Sequence, residues 1–237
     1  MTDPAPSSVW TRPRPEPRRR APGVDQFVAA ALAVADAEGL AAVSMRRVAG
    51  DLGSGTASLY RYITNRDELV DLMVDAVQGE HPLPESTEDW RTDLAAVAHG
   101  LRDTLLRHPW LAGEMTGRPS LGPNSLRRSE AALRAAVALT PDITLASQAL
   151  GAVQAYVLGS VAAQQAGRLA EQRTGLTEEQ WQHSVGPYIT EVLAAGEHPM
   201  LARRVHEAEE LDPDVGFAFG LDCVLDGLAA RLGGQQV

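Results

Sequence analysis

Three residue types here carry enough chemistry to ask what they could do together: one cysteine, six histidines, and twenty-one basic residues that are all arginine. Cys223 has no partner, so no internal disulfide can form. It lies inside an apolar helical stripe, which predicts a buried core thiol. The histidines stand at 81, 99, 108, 183, 198 and 206, with no pair at zinc-binding spacing and no cysteine cluster beside them. No glycine-rich phosphate loop and no Gly-x-Ser-x-Gly elbow occurs. The sequence therefore speaks against an enzyme and against a metal or cofactor site. The arginines say more, because they are unevenly placed. Residues 1–66 hold nine against six acidic residues, a balance of +3, while residues 67–237 hold twelve against twenty-five, a balance of −13. A net charge of −10 thus hides a basic head on an acidic body. Affinity for phosphate follows the local field, which decays within about 8–10 Å in physiological salt.

The head contains a constellation suited to reading double-stranded DNA. Residues 45–64 read MRRVAGDLGSGTASLYRYIT. In a helix-turn-helix two short helices cross closely, so the first needs a small residue, the turn a glycine, and the second apolar residues at set offsets. Ala49, Gly53 and Leu59 supply these, and Val48, Leu52 and Ile63 complete a small core. Burial of those positions projects Ala57, Tyr60 and Arg61 from the other face of the second helix, with Thr56 and Ser58 at its start. Small polar residues there suit close approach to base edges.

The string LGSGTASLYRYITNRDEL, residues 52–69, strongly resembles the DNA-binding domain of the TetR (tetracycline-repressor-like) family. Leu52-Gly53, Leu59-Tyr60, Tyr62, Asn65-Arg66 and Glu68-Leu69 match the family pattern, and the likeness covers residues 23–79. The resemblance implies that Arg46 reaches a base or phosphate and that Thr56, Ala57 and Ser58 occupy base-reading positions. It implies that Tyr60 and Tyr62 contact phosphates through their hydroxyls, although Tyr62 also fits a half-buried core aromatic. It places Arg66 on a phosphate, a contact that fixes register without reading sequence. Arg61 either reads a guanine or neutralises backbone. RHPWLAGEMTGRPSLGPNSLRRSEAAL, then QAYVLGSVA and FAFGLDCVLDGLAARL, resemble a C-terminal subtype of the same family. That likeness implies a helical bundle that takes a small-molecule effector and forms a homodimer through its last two long helices.

These residues need elements to hold them. A 44% hydrophobic chain rich in Ala and Leu, with three Phe, four Tyr and four Trp, favours helices over strands. The fold class is all-α. Residues 1–22 hold six prolines and five arginines and read as a disordered arm. Arg18, Arg19 and Arg20 either lie along the minor groove or flanking phosphates of an operator, or form a solvated tail. Residues 23–80 form the DNA-binding domain, with helices from Gly23 to Gly39, over 45–52, over 56–63 and over 66–79. Asn65 and Glu68 give the last a capping-box spacing. His81-Pro82-Leu83-Pro84 marks a boundary, and residues 85–237 form the ligand-binding and dimerisation domain. Its helices are expected over 87–107, from Pro109 to Met115, 124–139, 142–172, from Thr177, and 213–232.

In the last helix Phe217, Leu221, Val224 and Leu228 form a stripe for either a partner or an internal core. Gly220 and Gly227 would let a partner helix approach. Trp110, Met115, Tyr156, Leu158 and Trp181 are the large side chains expected to line a cavity, with His99 and Gln154 as polar groups. No run of about 18 apolar residues is seen, so no membrane partner is expected. No signal-peptide core opens the chain, and the location expected is cytoplasmic. The function expected is a ligand-responsive DNA-binding transcriptional regulator, a repressor released from a near-palindromic operator by a small hydrophobic molecule. The rival is a DNA binder or architectural protein without an effector.

Overall fold

The computed structural model describes residues 9–12, 22–87, 89–115, 117, 119–209 and 211–233. Every regular element among them is helical. Helix α1 (Val24–Glu38) buries Phe27, Val28, Ala31, Val34 and Ala35 on one side. It ends at Gly39, whose φ of +85° is cheap only for glycine and whose N–H returns to Ala35 O at 2.9 Å. A 3₁₀ turn, Leu40–Ala42, leads to α2 (Met45–Asp51), capped by Ser44, whose hydroxyl accepts from Arg47 N at 3.2 Å. Gly53, at φ +60°, makes the turn to α3 (Thr56–Tyr60). That helix is shorter than the expected 56–63.

Asn65 caps α4 (Arg66–Gln78), accepting from Glu68 N at 2.9 Å. The expected reciprocal bond is replaced: Glu68 accepts from Thr64 N at 2.7 Å and pairs with Arg12. Arg12 belongs to the stretch read as a disordered arm. In that stretch Val9 is buried in the main core, Trp10 packs at its edge, and Arg12 also bonds Thr64. The prediction of an arm with nothing to bury fails there, because one Val-Trp pair is enough to cover the edge of a small head. Arg18, Arg19 and Arg20 lie outside the described residues.

The body is built from α5 (Trp90–Arg107), α6 (Leu111–Glu114), α7 (Pro123–Leu139), α8 (Ile143–Thr174), α9 (Glu178–Ala194), α10 (Pro199–Glu207) and α11 (Pro213–Leu232). Helices α5, α7, α8 and α11 pack together around its core. Helix α10 was not anticipated from sequence. Helix α8 has 32 residues, a length of about 48 Å at 1.5 Å per residue. Ala146, Ala149, Val153, Val157 and Val161 are buried along one side. Gly151, Ala152, Ala155, Gly159, Ala162 and Ala163 are exposed along another. Apolar residues on both sides make 143–167 long and apolar enough to cross a membrane by length and composition, which the reading of the sequence did not find.

Helix α11 decides between two readings of its stripe and corrects two further expectations. Phe217, Leu221 and Leu225 are buried within the chain, with Val224 and Leu228 packed at the edge, so the stripe faces the internal core. Gly220 admits this chain's own Tyr156, with which any Cβ there would overlap, while Gly227 faces open space. Cys223 is exposed rather than buried, one position outside the inward stripe.

Head and body meet at two polar joints. Asp75 of α4 is buried and accepts from Asn124 N and Ser125 N, each at 2.9 Å, capping the N-terminal end of α7. In return Arg128 of α7 donates to Gln78 O at 3.1 Å and His81 O at 3.0 Å, where α4 ends. A side chain on Gly122 would overlap the Asp75 carboxylate, so the close approach requires glycine. At the second joint Asp36 Oδ1 of α1 accepts from Trp110 Nε1 and from His108 Nδ1, both at 2.7 Å. His108 Nε2 donates to Glu80 at 3.0 Å.

Candidate nucleic-acid interface

The helix-turn-helix core forms as its spacing requires. Val48, Ala49, Leu59 and Ile63 are fully buried and Leu52 packs at their edge. Truncating a side chain of the size of Leu59 in such a core costs about 2–5 kcal/mol. The opposite face is presented outward. Ala57, Tyr60 and Arg61 are exposed, and Thr56 and Ser58 are half-buried at the start of α3. Arg46 is exposed and has no ion pair among the described residues. Its neighbour Arg47 is held instead by Glu38 at 2.8 Å and Asp51 at 2.9 Å. The usable cation at the start of α2 is therefore Arg46.

Two carried-over assignments change. Tyr62 is 9% exposed, packed 6.5 Å from the Phe27 ring, and its hydroxyl is buried without a hydrogen-bond partner. It is a core aromatic, and its hydroxyl does not face a phosphate. Arg66 donates Nε to Val43 O at 2.9 Å and Nη2 to Leu40 O at 2.7 Å. It ties the turn after α1 to α4 rather than extending outward, because the Val43 carbonyl and that of Leu40, which also accepts from Val43 N at 3.1 Å, lie within its reach.

The expected effector residues divide into separate places. Trp110 is at the head-body joint, bonded to Asp36, and Met115 packs against the core just beyond α6. Trp181 is 48% exposed on α9, a helix with no buried residue. Gln154 and Leu158 are half-buried on α8. His99 and Tyr156 do come together, their rings 5.2 Å and 5.5 Å from that of Phe217.

Residues 27–73 match the model described as bacterial regulatory proteins, tetR family, and residues 82–232 match the tetracyclin repressor-like C-terminal domain. The chain belongs to the TetR family. The HTH-type transcriptional repressor DrrR1 of Streptomyces coeruleorubidus is 40% identical over 210 residues, covering 86% of this chain and 76% of that protein. ActR, a TetR family protein of Streptomyces coelicolor solved in complex with actinorhodin, aligns at a TM-score of 0.73 and 31% identity, over 90% of this chain and 100% of that one. The same protein in complex with (S)-DNPA gives 0.69 and 32%, over 88% and 98%.

As a TetR-family regulator the chain binds DNA through α2 and α3, and the rest of the molecule must orient that pair. The residues that do so were missed from sequence. Asp36 and Trp110 are 74 residues apart, and nothing local links them. Arg102 did leave a signal: with Leu94, Ala98 and Leu105 it shares the buried side of α5, so a charge stands in an apolar row.

Proposed function

We propose that this TetR-family chain is a homodimeric repressor that holds a near-palindromic double-stranded operator and releases it when a small, largely apolar molecule enters the C-terminal bundle. One observation carries the reading: the last turn of α4 is clamped to the first turn of α7 in both directions, by Asp75 of α4 and by Arg128 of α7. Any displacement of α7 by a ligand therefore moves α4, and with it the outward face of α3. Such control needs a ligand that favours the DNA-incompetent state, with coupling typically of about 1–3 kcal/mol. The repressor naming of DrrR1 and the ligand-bound structures of ActR support the same reading.

Dimerisation is supported by surfaces this chain leaves bare. The Ala/Gly side of α8 lies beside the outward side of α11, where Val215, Phe219, Cys223 and Gly227 are exposed. Small residues let helices approach to about 8 Å, and apolar patches of this kind mark interaction sites. Helices α9 and α10 bury nothing within the chain, yet carry Tyr188, Met200 and Val205 outward. A partner copy would cover them. A double-stranded DNA target fits the cytoplasm as the place of action.

Selection of bound DNA from a random pool, with and without candidate effectors, tests the proposal. It should return a site of two inverted halves, bound by a dimer and depleted by at least one effector. A single half-site bound by a monomer, or a site that no effector releases, would overturn it.

A further inference from the structure

Arg102 is an arginine in the wrong place for a charge. It lies in the middle of the buried side of α5 and is 6% exposed. A guanidinium in such a position must be neutralised and hydrogen-bonded. Its one carboxylate partner among the described residues, Asp214 in the first turn of α11, is 2.7 Å away but has a side chain 80% exposed. Gln164 of α8 accepts at 3.1 Å from the same terminal nitrogen. The Nε group is buried and has no acceptor. Buried polar groups without partners are rare and point to a missing ion, water or ligand. The guanidinium carbon also lies 4.7 Å from the centre of the Phe217 ring, around which His99 and Tyr156 are gathered. The Tyr156 hydroxyl is used up on Phe217 O at 2.7 Å, which leaves its ring as the contact surface.

We infer that this junction of α5, α8 and α11 is the anchor of the effector site, and that it takes a flat, apolar molecule bearing one carboxylate. The inference rests on the effector-released reading above and gives that effector a chemical class. The planar fork of a guanidinium matches a carboxylate in two parallel bonds, and rings set around Phe217 offer faces for a flat body. The incoming carboxylate replaces Asp214, which loses little because it is already in water. The exchange frees the start of α11 from α5. Helix α5 continues to Arg107 and then to His108 of the head-body joint, six residues from Arg102 and about 9 Å along the axis.

The test uses the full-length protein and two matched probe pairs: 2-naphthoic acid with 2-naphthamide, and anthraquinone-2-carboxylic acid with its carboxamide. Calorimetry measures binding of each, and the selected operator reports release. The wild type should prefer each acid to its amide by about tenfold to a hundredfold, as expected for a bond to a charged group. Arg102→Gln should abolish that preference, whereas a purely structural arginine would weaken acid and amide alike. Asp214→Asn, which removes the competing carboxylate and leaves the core intact, should tighten the acids several-fold and leave the amides unchanged. Equal binding of acid and amide, no acid binding at about 1 mM, or an acid affinity unmoved by Asp214→Asn would overturn the assignment. If amides release the operator as well as acids, effector control stands and the anion site falls. If no probe or other effector releases it, the repressor reading falls as well.

Discussion

Tyr60 and Tyr62 look alike in the sequence and are opposite in the structure. Tyr60 and Arg61 face outward, while the Tyr62 hydroxyl is buried with no partner. Tyr60→Phe and Arg61→Ala should each weaken operator binding, by about 1–3 kcal/mol where the lost contact is to a base. Tyr62→Phe should leave operator affinity unchanged and raise stability by about 1 kcal/mol, since it removes an orphaned hydroxyl. Footprint titrations and thermal melts of the three variants check this. His108 gives a second expectation. Burial pulls its pKa down, but its bonds to Asp36 and Glu80, with their charges, outweigh burial and the net shift is upward. Carboxylates only accept, so a ring bonded to both must be doubly protonated. A raised folded-state pKa stabilises the fold fully below the unfolded value of about 6.5 and is lost as pH rises through the folded value. The wild type should therefore exceed His108→Asn in melting temperature most at pH 5–6, by a margin that narrows on going to pH 9. The outward residues of α3 were legible because their pattern is local. The partners of Arg66, His108 and Trp110 were not, because each comes from more than twenty residues away.

Helix positions in the sequence were legible wherever a cap and periodicity agreed, as at Asn65, which accepts the expected bond from Glu68 N. Helix α10 was missed because it is nine residues long, has no capping side chain and buries nothing. What periodicity could not convey is how α4 is used. Its buried residues, Leu69, Val70, Leu72, Met73, Val74 and Val77, run nearly all round it, since it lies between α1 and α7. Among them Asp75 looks like a fault in the apolar face and is in fact the cap of another helix. Asp75→Ala should lower stability by about 1–3 kcal/mol, by leaving the start of α7 uncapped. It should also reduce the effect of effector on operator affinity more than it reduces either affinity alone. Melting curves and paired titrations with and without effector separate the two effects. A loss of stability with full coupling intact would show that the clamp holds the fold but does not transmit.

At the scale of the whole molecule, the charge balance of +3 over residues 1–66 is legible in the sequence, but it comes wholly from residues 1–22, where Arg14, Arg18, Arg19 and Arg20 lie outside the described residues. The division of apolar surface between inside and outside was not legible. The stripe of α11 faced inward, and the surface left for a partner is the Ala/Gly side of α8 with Phe219 and its neighbours on α11. Ala155→Arg places a long charged side chain on that surface. The variant should sediment as a folded monomer and bind a full operator no better than a half-site, since two linked heads gain from effective concentration and one head does not. A dimeric Ala155→Arg protein would place the interface elsewhere. The exposed side of α11 also carries the chain's one thiol, with Phe219 a turn before it and Gly227 a turn after. With two copies joined across this side, as proposed, that thiol becomes a native reporter of assembly. Alkylating reagents will label Cys223 slowly while two copies are joined and quickly once they part, so the labelling rate against protein concentration traces the dissociation curve without any tag or dye being added.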